Sequence, residues 1–243
     1  MKKSIKLLIC SIFLLSTAAN AQWSKNRIKG NGKVVTNNRS TADYDKIKVS
    51  GFFDVDLVSG KEGAITVKAE ENLQAYIKVE VEGNVLKIYT EKNTSISPSS
   101  GKTVQITIPF EKISNVSLAG SGDIRSKSII KSDSFSAALA GSGDLDLNVD
   151  ATTFDLAVSG SGDIVLKGNT GSLTTKLSGS GDIDAASLKA KNVDITISGS
   201  GDSKVFCSEN LKARVSGSGD IEYVGNPKTK ETKVSGSGSI SKA

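Results

Sequence analysis

The amino-acid sequence predicts an all-β protein: a right-handed parallel β-solenoid, or β-helix, preceded by a less regular N-terminal β region. Three observations predict it. First, Gly-Ser-Gly recurs seven times, starting at Gly120, Gly141, Gly160, Gly179, Gly199, Gly217 and Gly236. A near-constant period of this size marks a repeat architecture. Second, apolar and polar residues alternate around each copy with a period of two, the pattern of a half-buried strand. Third, two short strands cannot bury enough surface alone. Stacking one coil on the next, about 4.8 Å away, lines equivalent inward residues into continuous columns. Parallel crossovers are almost always right-handed.

The elements follow in chain order. Residues 1–21 read as a secretion signal: Lys2, Lys3 and Lys6 open it, an apolar run covers residues 7–15, and Ala19-Asn20-Ala21 is a small-x-small cleavage site. The run is too short to span a bilayer, and no second apolar stretch approaches that length. Cleavage after Ala21 is expected, with export to the periplasm, cell surface or extracellular space. The remaining chain carries 28 Lys and Arg against 26 Asp and Glu. That near-balance is not the electrostatic footprint of a nucleic-acid binder.

Residues 22–115 read as degenerate coils within an irregular β region. Val49-Ser-Gly-Phe-Phe-Asp-Val-Asp-Leu57 has the spacing of Val158-Ser-Gly-Ser-Gly-Asp-Ile-Val-Leu166, and Ile28-Lys-Gly-Asn-Gly-Lys-Val34 matches with Gly30 as its corner. Gly30 and Gly51 stand one coil length apart, the same step as from Gly120 to Gly141. Strand runs follow at 65–69, 77–81, 85–89 and 104–108. Gly83-Asn84 reads as a hairpin turn, and 94–102, with Pro98 and four serines, as a mobile loop. Residues 116–243 form the regular solenoid, continuous with the first region in one domain. Its columns are legible. Two positions before each corner stand Leu118, Leu139, Val158, Leu177, Ile197, Val215 and Val234; four after it stand Ile124, Leu145, Ile164, Ile183, Ser203, Ile221 and Ile240. The spacing drifts between coils, from the short step of Gly199 to Gly217 to the long one of Gly120 to Gly141. That drift predicts a variable turn opposite the glycines.

Composition removes much chemistry. The chain has no histidine, so Ser-His-Asp, Cys-His and His-metal sites are excluded. Cys207 alone remains after the leader, which carries Cys10, so no internal disulfide forms. Cys207 reads as a small buried apolar residue. The glycine corners lack the Gly-Lys-Ser/Thr of a phosphate loop.

Six corners continue with an aspartate: Asp123, Asp144, Asp163, Asp182, Asp202 and Asp220. Stacked carboxylates about 4.8 Å apart repel by roughly 0.9 kcal/mol in water, and a hydrogen bond from a corner N–H to a charged acceptor, about 1.5–3 kcal/mol, outweighs that. The aspartates therefore read as turn caps; the functional alternative is a row of weak Ca²⁺ sites. No other cofactor is expected. Asp144 with Asp146, and Asp182 with Asp184, face one side of a strand, as a glycosidase pair would. An exposed strand face provides neither the cleft nor the perturbed carboxyl that glycoside hydrolysis requires. Phe52 and Phe53 fill a corner where later copies carry serine and glycine; exposed, they would anchor a glycan or protein, and otherwise they pack beneath a neighbouring loop.

The Gly-Ser-Gly-Asp array from Gly120 onward, with the upstream Ile47-Lys-Val-Ser-Gly-Phe-Phe-Asp-Val55 segment, resembles the head GIN domain family of putative autotransporter adhesins, exported proteins common in Bacteroidetes. The resemblance covers nearly all of the chain after the leader. It implies a superhelix similar to pectin-lyase-like folds, with no known catalytic site and a proposed role in adhesion. Unlike an autotransporter, the sequence shows no heptad stalk and no run of barrel strands. The expected function is a non-catalytic envelope or surface interaction module, adhesin-like, with a glycan or protein as partner. The alternatives are a polysaccharide lyase or hydrolase on the same scaffold and a purely structural envelope protein. The final coil, which keeps Val234 and Ile240 and carries Lys242, suggests weak end-mediated self-association.

Overall fold

The computed structural model describes residues 27–243; the expected signal peptide lies outside them. The repeats stack as parallel coils of a β-solenoid. Gly51 lies in register with Gly120, Gly120 with Gly141, and the column continues through Gly160, Gly179, Gly199, Gly217 and Gly236.

Each coil has two faces. Strand Asp144–Gly160 covers both. Leu145, Leu147, Val149 and Ala151 point inward on the first stretch. Thr152 and Thr153 are then both exposed, which shifts the alternation, and Phe154, Leu156 and Val158 point inward on the return. That slip is the second corner of the coil, opposite the glycines. The register irregularities fall on the stretch leading into it, between Val165 and Lys167, Ala185 and Lys189, and Ala190 and Asn192. The unequal coil lengths are therefore absorbed on that side, while the glycine corner keeps its register.

The inward columns form one continuous cluster from Tyr44 to Tyr223. Leu156, Leu177 and Ile195 are all buried, and Phe135 meets Phe154 edge-on at 5.2 Å between ring centroids. Three inward positions break the apolar rule: Thr170, Thr175 and Ser203 are buried; Thr170 Oγ1 donates to the Ser172 carbonyl at 3.1 Å, and among the described residues the Thr175 and Ser203 hydroxyls have no hydrogen-bond partner.

The glycine corner needs glycine twice, and at Gly160 on two counts, since a Cβ there would also overlap the Gly141 carbonyl oxygen. Gly160 has φ +132°, which side-chain-bearing residues rarely adopt. Gly162 has ordinary φ, but a Cβ there would overlap the carbonyl oxygen of Gly143 in the preceding coil and stand 2.9 Å from Leu139 Cδ2.

The N-terminal region is threaded out of chain order. Strand Lys46–Gly51 lies between Val85–Thr90 on one side and Asn115–Gly120 on the other. On the second face, Asp54–Ser59 lies between Gln105–Phe110 and Asp123–Ser126. The coil at Gly51 is thus flanked by two later segments. Antiparallel strands close this end. Ile77–Glu82 pairs with Val85–Thr90 across a turn at Gly83 and Asn84, φ +52° and +66°, matching the expected hairpin. Ala64–Glu70 pairs antiparallel with Gln105–Phe110, and Val34–Ser40 pairs antiparallel with Ala64–Glu70.

Two sequence expectations are corrected here. Residues 28–34 are not a coil. Arg27–Lys29 pairs with Ser95–Ser97, and the chain then enters the antiparallel strand Val34–Ser40. Gly30 abuts the Glu70 carboxylate, not a glycine of another coil. Residues 94–102 are not a free loop either. Besides that pairing, Ser99 donates from its backbone N (2.8 Å) and its Oγ (2.6 Å) to Glu70, which also accepts from Gly32 N. These bonds, led by the Ser99 hydroxyl, hold the Glu70 carboxyl below the usual carboxylate range.

Two predictions test this packing. Gly162→Val should lower the melting temperature clearly more than Ser161→Ala, whose side chain is exposed; equal effects would refute the corner. Thr175→Val keeps the shape and removes an unpartnered buried hydroxyl, so it should raise stability by about 1 kcal/mol in denaturant melts.

Candidate surface sites on the solenoid

The aspartate column is real and starts one coil earlier than the glycine motif suggests. Asp54 lies in register with Asp123, and Asp123 with Asp144. Asp163, Asp182, Asp202 and Asp220 continue it at the following corners. From Asp144 on, each carboxylate ties one coil to the next. Asp144 Oδ1 accepts from Asp163 N (2.9 Å), Asp163 from Asp182 N (3.1 Å), Asp182 from Asp202 N (2.8 Å) and Asp202 from Asp220 N (2.7 Å). Asp220 accepts from Ser239 N at 2.6 Å. The bonds are a ladder between coils; the caps expected from sequence accept from the neighbouring coil's N–H. Asp123 instead pairs with Arg125 at 2.6 Å. Burial, followed by the Asp123 charge, pushes the Asp54 carboxyl above the usual range.

One oxygen of each carboxylate in the ladder is therefore committed to the backbone. Among the described residues, no group of three His, Cys, Asp or Glu side chains is placed to hold a metal ion. The pairs weighed for hydrolysis are also engaged separately: Asp146 pairs with Lys167 at 3.0 Å, and Asp184 Oδ1 accepts from Ala186 N at 3.1 Å.

Phe52 and Phe53 divide. Phe53 is 0% exposed, which overturns its candidacy as an interaction residue. It stands where later coils carry the second glycine; Gly122 lies against its backbone, and its ring is part of the buried core beside Gly51. Phe52 is half-buried and packs against the core, 5.3 Å from the Phe53 ring centroid. Cys207 is buried as expected, and burial pushes its thiol up.

Sequence reasoning missed a long concavity. A groove of about 1020 Å³ follows the second corner from Lys112 to Ser208. Its floor includes Ala151, Thr170 and Ala190, small because they sit on the inside of the bend. Its wall carries a register column, Lys131, Asp150, Asn169, Lys189 and Phe206, one residue per coil. Lys189 Nζ stands 4.2 Å from the Phe206 ring centroid. Elsewhere on the solenoid several charges pair from coil to coil, as in Lys204–Glu222 and Lys212–Asp194. Along the groove they do not: among the described residues, the side chains of Lys112, Lys131, Lys191, Asp133 and Asp150 have no ion pair or hydrogen bond. Beside it, Asn210 Nδ2 donates to Asn192 Oδ1 and Thr229 Oγ1 to Asn210 Oδ1, each at 2.6 Å, a second polar ladder. The variable residues at the bend were the available signal, but without the bend in place they read as ordinary surface.

The family model described as "Putative auto-transporter adhesin, head GIN domain" matches residues 43–227. The chain belongs to this family. The match spans the out-of-order N-terminal coil and all but the last corner. Among solved structures, this GIN-domain chain is similar to a "putative adhesin" from Bacteroides fragilis NCTC 9343, at 24% identity and TM-score 0.79, over 89% of this chain and 100% of the other. That likeness shows the fold. A "putative lipid binding protein" from Parabacteroides distasonis ATCC 8503 is similar at 26% identity and TM-score 0.75, over 90% of this chain and 100% of the other. A "putative adhesin" from the same organism is similar at 25% identity and TM-score 0.69, over 90% and 100%. A search of the curated proteins finds no match. Among the described residues of the GIN-domain chain, no helix is long and apolar enough to cross a membrane.

The ladder yields a graded prediction. Asp182→Ala should cost about 1.5–3 kcal/mol of stability, the worth of a charge-assisted hydrogen bond. Asp182→Asn, which keeps an accepting oxygen, should cost less. Millimolar Ca²⁺ should leave the melting temperature unchanged; a saturable rise that Asp163→Asn with Asp182→Asn abolishes would instead reveal a metal row.

Proposed function

We propose that the protein is an exported, non-catalytic interaction module of a bacterial envelope or cell surface, adhesin-like in role, whose partner is a surface glycan or protein. The observation that carries this reading is the match to the adhesin family over residues 43–227. The solenoid supports it. It presents long, regular outer faces, and many of its polar surface residues are either tied into ladders or left unpaired in an open groove. A second reading, binding of a lipid surface, is favoured by the neighbour bearing that description and by a shallow hollow on the strands that lead into the glycine corner. There Ala119, Ala138, Ala140 and Ala157 lie together between Lys48 and Lys176. A role in weak self-association would use the last coil, where Thr229–Gly236 is exposed throughout and Val234 is 42% exposed.

The test is direct. Residues 22–243 are applied to a glycan array, to immobilised extracellular-matrix proteins and to anionic lipid vesicles, and antibody labelling of intact cells reports surface display. Saturable binding to a glycan or protein with surface labelling is expected. Binding confined to vesicles favours the second reading, and turnover of a polysaccharide in the same samples would overturn the non-catalytic assignment.

A further inference from the structure

We infer that the groove along the second corner is a binding site for an extended, carboxylate-bearing oligosaccharide, laid parallel to the solenoid axis. The inference rests on the surface-module reading above and names the class of ligand and its place.

Shape comes first. The groove runs across successive coils, from Lys112 to Ser208. Each coil therefore offers the same position about 4.8 Å further along. A linear polymer of similar units lying along the axis meets one side chain of each column per coil. A globular ligand would use only part of this length.

Charge comes second. Four ammonium groups line the groove, at Lys112, Lys131, Lys189 and Lys191, with three carboxylates at Asp45, Asp133 and Asp150. Among the described residues, none of the four lysines is neutralised by an ion pair, whereas Lys167, Lys204, Lys212 and Lys228 on other parts of the solenoid each meet an acidic partner in an adjacent coil. Lys189 is held over the Phe206 ring, which fixes the ammonium at the groove wall and lowers the entropy lost on binding. A neutral sugar chain has no use for four ammonium groups. A polyphosphate backbone, with more negative charge per unit length than a polyuronate, would meet stronger repulsion from the three aspartates. A sugar acid carries both complements: its carboxylate suits lysine, and its hydroxyls donate to the oxygens of Asp133, Asp150 and Asn169. The hydroxyls of Ser132, Ser134 and Thr152 line the same corner.

The small floor comes third. Ala151, Ala190 and Gly171 leave depth at the bend. The register irregularities between Ala185 and Lys189 and between Ala190 and Asn192 fall in the same place. The coils repeat most faithfully at the glycine corner and depart from repetition here.

The experiment is isothermal titration of residues 22–243 with a short oligogalacturonate, with a cello-oligosaccharide and a poly-glutamate peptide in parallel. Saturable binding of the uronate, weakened by added salt, is expected. Lys131→Glu with Lys189→Glu should weaken it by about tenfold or more, whereas Lys92→Glu, at an exposed turn after strand Val85–Thr90, should not. If the double reversal fails to fold, Lys131→Gln with Lys191→Gln carries the same test. Binding unchanged by the groove variants would overturn the site. Equal binding of the neutral sugar, or of the acidic peptide, would overturn the ligand class, and no uronate binding would overturn both. Binding of the chain to intact surfaces, measured with the same variants, separates this inference from the broader one. A groove variant that loses the uronate yet keeps surface binding sinks the groove as the adhesive site. Uronate binding without surface binding sinks the surface role and leaves the groove.

Discussion

Everything in the solenoid hangs on how closely one backbone approaches the next at the glycine corner. The corner of each coil lies on the corner below with no room for a Cβ at either glycine, and the first also holds a backbone conformation that disfavours one. This contact fixes the register of all the coils. Once Gly160 lies on Gly141, every inward residue on both faces lies on its counterpart, and the apolar columns follow. The aspartate ladder adds a polar tie at the same corner. Each carboxylate is held by the N–H one coil further on, so the charge repulsion along the column, weak in water, is set against bonds of greater worth.

The opposite corner is relaxed because the first one is strict. The short coil from Gly199 to Gly217 and the long one from Gly120 to Gly141 share one glycine column, so their difference in length must emerge elsewhere. It emerges near the bend at residues 151–153 and its counterparts, where the alternation slips and the floor is small. A corner whose register can slip tolerates varied outward side chains, and lysine, aspartate, asparagine and phenylalanine follow one another in a single column there. The candidate binding groove and the faithful corner are two outcomes of the same constraint.

The regular part of the fold was legible because stacking forces repetition on the sequence. The glycine spacing and the alternation at Leu156, Leu177 and Ile195 are that repetition, written once per coil. The N-terminal region was only half legible. Its strands and the Gly83-Asn84 turn carry local signals, and Gly51 keeps its corner. Their order in space is set by long-range pairing that leaves no period to read. Gly30 mimics a corner in spacing, yet its neighbour is the Glu70 carboxylate. Phe53 shows the limit for sites: two adjacent aromatics at a corner look alike in sequence, and only the neighbouring coil decides that one is interior. The groove was illegible because it is made by a bend, and a bend appears in sequence as two polar residues in a row.

The threading of the first coil bears on the order in which the molecule can be assembled. Strand Lys46–Gly51 needs Val85–Thr90 beside it, and Asp54–Ser59 needs Gln105–Phe110. A chain that emerges amino end first therefore holds an unfinished foundation until Phe110 is out. After that point the task changes in kind. Each new coil finds a completed edge waiting, closes only a short loop, and leaves an identical edge for its successor. The slow, non-local step comes once, at the start, and the remainder grows like a crystal on a seed.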